Sequence, residues 1–174
     1  DVFNFPLDEQ LLFRKLGEQP ARGTWRVRVT LDKAGAIDVQ AVAFDGAAPD
    51  IRLAALADQR IDSRDVMRRH KTTFRPLYDA ALQSLPAGSP IFDLIFFNER
   101  GEVAEGARSN VFVEREGILL TPPLVSGALP GVLRASLLAT GRAREAVLWP
   151  ADLQEGFWLG NALRGLFRAS LVEA

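Results

Sequence analysis

The chain has 174 residues, a net charge of −1, 48% apolar residues, no cysteine and one histidine. The near-neutral, well-mixed charge argues against a nucleic-acid partner. Without cysteine there is no disulfide framework or thiolate metal site, and His70 alone builds no histidine-based site, so no metal is expected. No apolar run reaches the ~18 residues of a membrane span and no signal-peptide pattern opens the chain, so no membrane partner and a cytoplasmic location are expected.

In chain order, Leu7 to Leu16 carries apolar residues at helical spacing. Trp25–Leu31 and Ile37–Phe44 alternate like half-buried strands around an Asp32–Ala36 turn and read as a hairpin. Ile51–Leu56 reads as a third strand of the same small sheet, leaving one edge unexplained. The polar stretch 59–68 reads as a domain connection, which sets a partial small N-terminal domain at 1–62 and a larger domain at 63–174. Within the latter, Phe74–Leu82 reads as a helix, Ile91–Phe97 as an apolar strand and Asn98–Gly101 as a turn. Short strands follow at Val111–Val113 and Ile118–Leu120, then a helix at Gly131–Ala139 and a strand at Ala146–Trp149. A helical turn at Ala151–Glu155 precedes strands at Phe157–Leu159 and Leu166–Val172.

Three blocks carry chemistry. Lys71 lies among Arg68, Arg69, His70 and Arg75. Cationic surroundings favour the free amine that a carbonyl reaction needs; the same run also reads as a solvated surface or a basic patch. Glu105 sits at the end of a hairpin, in a glycine turn, either as a solvated acid or as an acid positioned for a heteroaromatic nitrogen. Thr121–Arg134 is a Gly/Pro loop feeding a helix, where the amides of Gly131, Val132 and Leu133 point at an anion or simply begin a helix. Asn161, in Gly160–Gly165, is a second phosphate contact or part of a plain turn. An amine, an acid and an anion cradle are what a pyridoxal 5'-phosphate site requires.

The ordered motifs HKTT, FDLIFFNERGEVAEGARSNVFV, TPPLVSGALPGVLR and GNALRG resemble the class IV PLP-dependent aminotransferase fold family. Within it the chain is most similar to 4-amino-4-deoxychorismate lyase, in the form of the lyase-like domain fused behind a chorismate-aminating domain in bifunctional para-aminobenzoate synthases. The resemblance implies an α/β fold (α+β in stricter usage) of the D-amino-acid aminotransferase type, PLP as cofactor, and a homodimer when the chain is complete. It implies Lys71 as the Schiff-base residue and catalytic base, and Glu105 as the ring-nitrogen partner. Gly131, Val132, Leu133 and Asn161 then stand at the phosphate, with Arg108 and Arg164 as candidates for a substrate carboxylate. Leu133 stands where a hydroxyl residue is often found, and Pro76 where branched-chain transaminases carry a tyrosine. The family's phosphate-binding N-terminal arginine has no counterpart here, so the chain is expected to be a fragment that holds PLP weakly. The implied reaction is conversion of 4-amino-4-deoxychorismate to para-aminobenzoate and pyruvate. A class IV transaminase for D- or branched-chain amino acids, and a non-catalytic structural or dimerising remnant, are the alternatives.

Overall fold

The computed structural model describes residues 2–45 and 51–172, and the chain divides into two compact units, Asp1–Ala48 and Pro49–Ala174.

In the first unit, helix α1 (Glu9–Gly17) begins where the Asp8 carboxylate accepts the Leu11 amide at 2.9 Å. Spending Asp8 on this cap starts the helix two residues later than the apolar spacing suggests. Glu9 in its first turn and Arg14 and Lys15 in its last match the helix dipole. Strands β1 (Trp25–Leu31) and β2 (Ile37–Ala43) form the expected antiparallel hairpin, in register from Trp25↔Ala43 to Leu31↔Ile37. Asp32 closes its turn by accepting the Ala34 and Ala36 amides at 2.9 and 2.8 Å.

The third strand differs from the sequence reading. β3 (Ile51–Ile61) is longer and leaves the hairpin alone as a two-stranded sheet, joining the second unit instead. The unit boundary therefore lies before this strand, not at 62/63. The cause is local: Ala54 and Ala55 are adjacent and both fully buried, a pattern of a strand covered on both faces. The polar end of β3 is held by its ladder, Arg60↔Phe97 and Ile61↔Asn98.

The remaining elements are α2 (Pro76–Gln83), β4 (Ile91–Asn98), β5 (Val103–Gly106), β6 (Asn110–Arg115), β7 (Ile118–Thr121), α3 (Val132–Ala139), β8 (Ala143–Glu145), β9 (Phe157–Asn161) and β10 (Gly165–Leu171). They build a mixed eight-stranded sheet in the order β5-β4-β3-β10-β9-β6-β7-β8. The fold is the expected α/β class. Alternate residues sort onto two faces. Ala54, Ile95, Val111, Leu159 and Phe167 share one core, while Ala55, Leu94 and Phe96 pack with Leu77 and Tyr78 of α2. Phe112 and Leu119 pack with Leu133 and Leu137 of α3. The sheet curls, and the Val103 amide donates to the Leu148 carbonyl at 2.8 Å.

Two further boundaries move for stated reasons. α2 starts at Pro76, because proline suits the first helical position and restrains the residue before it; Phe74 stays outside and exposed. The strand expected at Ala146–Trp149 is not one: β8 ends at Glu145, and Val147 and Trp149 turn outward while Leu148 is buried. That alternation belongs to a crossing segment that meets β7 through the Ala146 amide and β5 through the Leu148 carbonyl. Among the described residues, no helix is long and apolar enough to cross a membrane.

Candidate cofactor site

Glu105, on β5 opposite Phe96, is buried to 6% exposure. Such a carboxylate needs donors. Its Oε2 accepts the Leu129 amide at 2.9 Å, and its Oε1 accepts the Tyr78 hydroxyl. Arg68 Nη2 lies 3.5 Å from Oε1 and donates to the Tyr78 oxygen. Tyr78 comes from the inner face of α2, its ring edge-on to Phe96 at 4.9 Å. Burial pushes the Glu105 carboxyl above its ordinary range, against the pull of Tyr78, Leu129 and Arg68. Burial and the Glu105 charge raise the Tyr78 phenol, so it remains a donor near neutrality.

The turn after Glu105 is fixed from below by Asp93. Fully buried, it accepts the amides of Leu94 at 3.0 Å and Arg108 at 3.1 Å. Gly106 is required here, since a Cβ would come within 2.9 Å of the Asp93 carboxyl carbon. Burial raises the Asp93 carboxyl to about 7.

This turn collects the other motifs. Arg75 Nη2 donates to the Ala107 carbonyl at 2.9 Å, anchoring the segment after Lys71; Arg68 anchors the segment before it. Lys71 itself is exposed between the two. Asn110 Nδ2 donates to the Leu129 carbonyl at 2.9 Å, fixing the loop that leads into α3. Asn161 Nδ2 donates to the Arg108 carbonyl at 3.2 Å and its Oδ1 accepts the Arg164 amide at 3.0 Å, so this side chain ties the fourth motif to the Glu105 turn.

The start of α3 corrects one expectation. Gly131 offers no amide to an anion, because its N–H donates to the Leu129 carbonyl at 2.8 Å. Its contribution is clearance: a Cβ would overlap Asn110 Oδ1. No side chain caps α3, so the Val132 and Leu133 amides are the donors available at that terminus. Leu133 packs against Gly160, where a Cβ would fall 2.8 Å from its methyl group.

The site therefore brings together Glu105, the uncapped start of α3, Asn161 and the anchored segment that carries Lys71. These residues fit PLP: an acid sunk among donors for the ring nitrogen, a cleared helix terminus for the phosphate and an accessible amine for the aldehyde. Sequence reasoning missed Tyr78, Asp93 and the bridging roles of Arg68, Arg75 and Asn110. Tyr78 is the only tyrosine, yet nothing in its spacing marks it as a partner of Glu105.

The fold is an α/β domain whose mixed sheet presents a buried acid near an uncapped helix terminus. The family model for amino-transferase class IV matches residues 2–172, and the chain belongs to that family of PLP enzymes. It is 32% identical over 155 residues to a Schizosaccharomyces pombe protein provisionally named an aminodeoxychorismate lyase, covering 84% of this chain and 67% of that protein. It is 38% identical over 69 residues to a Thermotoga maritima protein provisionally named a branched-chain-amino-acid aminotransferase, covering 37% of this chain and 25% of that protein. The crystal structure of a Mesorhizobium loti protein, provisionally named an amino-acid aminotransferase, superposes with TM-score 0.90 and 38% identity, covering 97% of this chain and 84% of that one. The chain thus matches a quarter of the length of the Thermotoga relative.

Proposed function

We propose that the chain is the PLP-binding part of a lyase that converts 4-amino-4-deoxychorismate to para-aminobenzoate and pyruvate. The observation that carries this reading is the extent of the curated matches: similarity to the Schizosaccharomyces lyase runs over 84% of the chain, whereas similarity to the Thermotoga aminotransferase covers 37%. Pro76, where branched-chain transaminases carry a tyrosine, supports the same choice.

When bound, PLP supplies an aldehyde for an amine and an electron-accepting pyridine ring. Lys71 would provide the amine that holds the cofactor, and its free amine would serve as the base for the proton on the amine-bearing carbon. Glu105, positioned by Tyr78, Arg68 and the Leu129 amide, would hold a proton at the ring nitrogen. The Val132 and Leu133 amides would hold the phosphate. Aromatisation of the ring expels enolpyruvate, and the proton that Lys71 removed returns to the methylene carbon of that leaving group. The products contain all the atoms of the substrate, so no second substrate is consumed.

A second reading, an amino-acid transaminase, draws on the match to the Mesorhizobium structure over 97% of this chain. Incubating the protein with PLP and 4-amino-4-deoxychorismate separates the two. Equal release of pyruvate and para-aminobenzoate without a keto acid supports the lyase. Amino-group transfer that requires a keto acid assigns the transaminase instead.

A further inference from the structure

Three arginines from three segments gather on one aromatic ring. Arg52, second residue of β3, has its Cζ 4.2 Å from the Phe92 centroid and 5.1 Å from that of Phe167. The Cζ atoms of Arg108 and Arg164 lie 5.8 and 5.7 Å from the Phe92 centroid. Phe92 and Phe167 meet edge-on at 5.2 Å. A hollow of about 460 Å³ opens at this point, with Arg52, Ser89, Phe92 and Arg108 in its wall.

Arg52 and Arg108 approach the same ring. Like charges at close range repel, and burial weakens the screening that water provides. Burial and the Arg164 charge both work against the Arg52 cation. Among the described residues, neither Arg52 nor Arg108 is ion-paired with a carboxylate: Asp93, beside Arg108, turns its oxygens to the backbone amides of Leu94 and Arg108. Arg52 Nε is buried without a hydrogen-bond partner. Arg108 spends Nη1 on the Phe92 carbonyl, so the N–H groups left for the two oxygens of a carboxylate are those of Arg52 and the remaining ones of Arg108.

The cluster also adjoins a segment of the proposed site. Arg108 is the third residue beyond Glu105, and its carbonyl is held by Asn161. The cluster therefore borders the turn on which the cofactor acid sits.

We propose that Arg52, together with Arg108 and Arg164, forms a carboxylate-binding site that receives an acidic group of the substrate remote from its reacting amine. The assignment rests on the lyase reading for the identity of that substrate, a cyclic dicarboxylate, and not for the site itself. The probe is isophthalate, a planar ring with two carboxylates, with the neutral isophthalamide as control. Calorimetric titration of the PLP-loaded protein should show isophthalate binding and no isophthalamide binding. Arg52→Met and, separately, the exposed Arg108→Met should each weaken isophthalate by about tenfold or more. Unchanged affinity in both variants, or equal binding of isophthalamide, overturns the proposal. The two readings fail separately. A protein that binds isophthalate through Arg52 yet needs a keto acid for turnover keeps this site and loses the lyase reading. A protein with lyase turnover whose substrate KM and isophthalate affinity ignore both variants does the reverse.

Discussion

Tyr78 donates its phenolic hydrogen to the buried carboxylate of Glu105, while Arg68 donates to the Tyr78 oxygen. The phenol thus relays a positive charge onto an acid from which water is excluded. Removing the hydroxyl in Tyr78→Phe leaves a buried acceptor short of a donor, a cost of about 1–3 kcal/mol. Chemical denaturation of the two proteins at neutral pH measures it; equal midpoints would mean that water replaces the phenol.

Glu105→Gln keeps the shape of the acid and removes its charge. Cofactor retention should fall less than turnover, because the amide still fills the pocket but no longer holds a proton at the ring nitrogen. Equilibrium dialysis for PLP beside a steady-state assay separates the two; turnover at the wild-type rate would remove Glu105 from its assigned role.

Lys71 is exposed and makes no described contact that the fold depends on. Lys71→Ala should change stability by no more than about 0.5 kcal/mol, while abolishing covalent capture of PLP. Borohydride reduction of the loaded protein followed by peptide mapping should place the pyridoxyl group on Lys71. A label on Lys15 or Lys33 instead would refute the assignment.

Asp93 makes stability depend on pH. Burial raises its carboxyl from an ordinary 3.8 to about 7, so the folded state holds this proton more tightly than the unfolded chain does. Its contribution is complete below about pH 4 and is lost as pH climbs through about 7, with a slope of at most about 1.4 kcal/mol per pH unit. Asp93→Asn should flatten that slope, gaining on the wild type between pH 5 and pH 8 in parallel urea melts. Parallel pH profiles would show that Asp93 ionises normally.

Gly131→Ala should weaken PLP about tenfold or more, because the new methyl overlaps Asn110 and displaces the start of α3. The backbone there is one that alanine adopts readily, φ −65°, so any loss reports crowding and not backbone strain. A PLP titration of the variant decides it.

Much of this arrangement was legible in the residues. The hairpin at 25–43, the apolar strand β4, the turn at Asn98–Gly101 and the helix after Gly131 all follow from alternation, turn residues and proline or glycine placement. The motifs also singled out Lys71, Glu105, Val132, Leu133 and Asn161 as the residues from which the proposed site is built. What was hidden shares one cause: long-range pairing leaves no local mark. The end of β3 reads as a linker because Asp58, Gln59 and Arg60 are polar and exposed, yet its backbone is paired to β4. The segment at 146–149 alternates like a strand, but it crosses between β7 and β5, bonding once to each through Ala146 and Leu148, and forms no ladder. Nothing in the sequence sets Arg52 apart, since Phe92 and Phe167 lie far away along the chain. Gly131 looked like a donor because the bond to Leu129 is invisible in composition.

The neighbourhood of β3 and β10 has a consequence for how the chain is made. The first strand of the large sheet lies beside the last, with Arg168 opposite Ile51 and Leu171 opposite Ala54. A nascent chain emerging from the ribosome can close β4 on β5 early. It can also close β6 on β7, but β3 keeps one bare edge until residues near 170 are out. Contacts so distant along the chain are slow to form, and an unpaired apolar edge invites association with other chains in the interval. Translation rate and chaperone supply should therefore govern the soluble yield of this protein more than its final stability does.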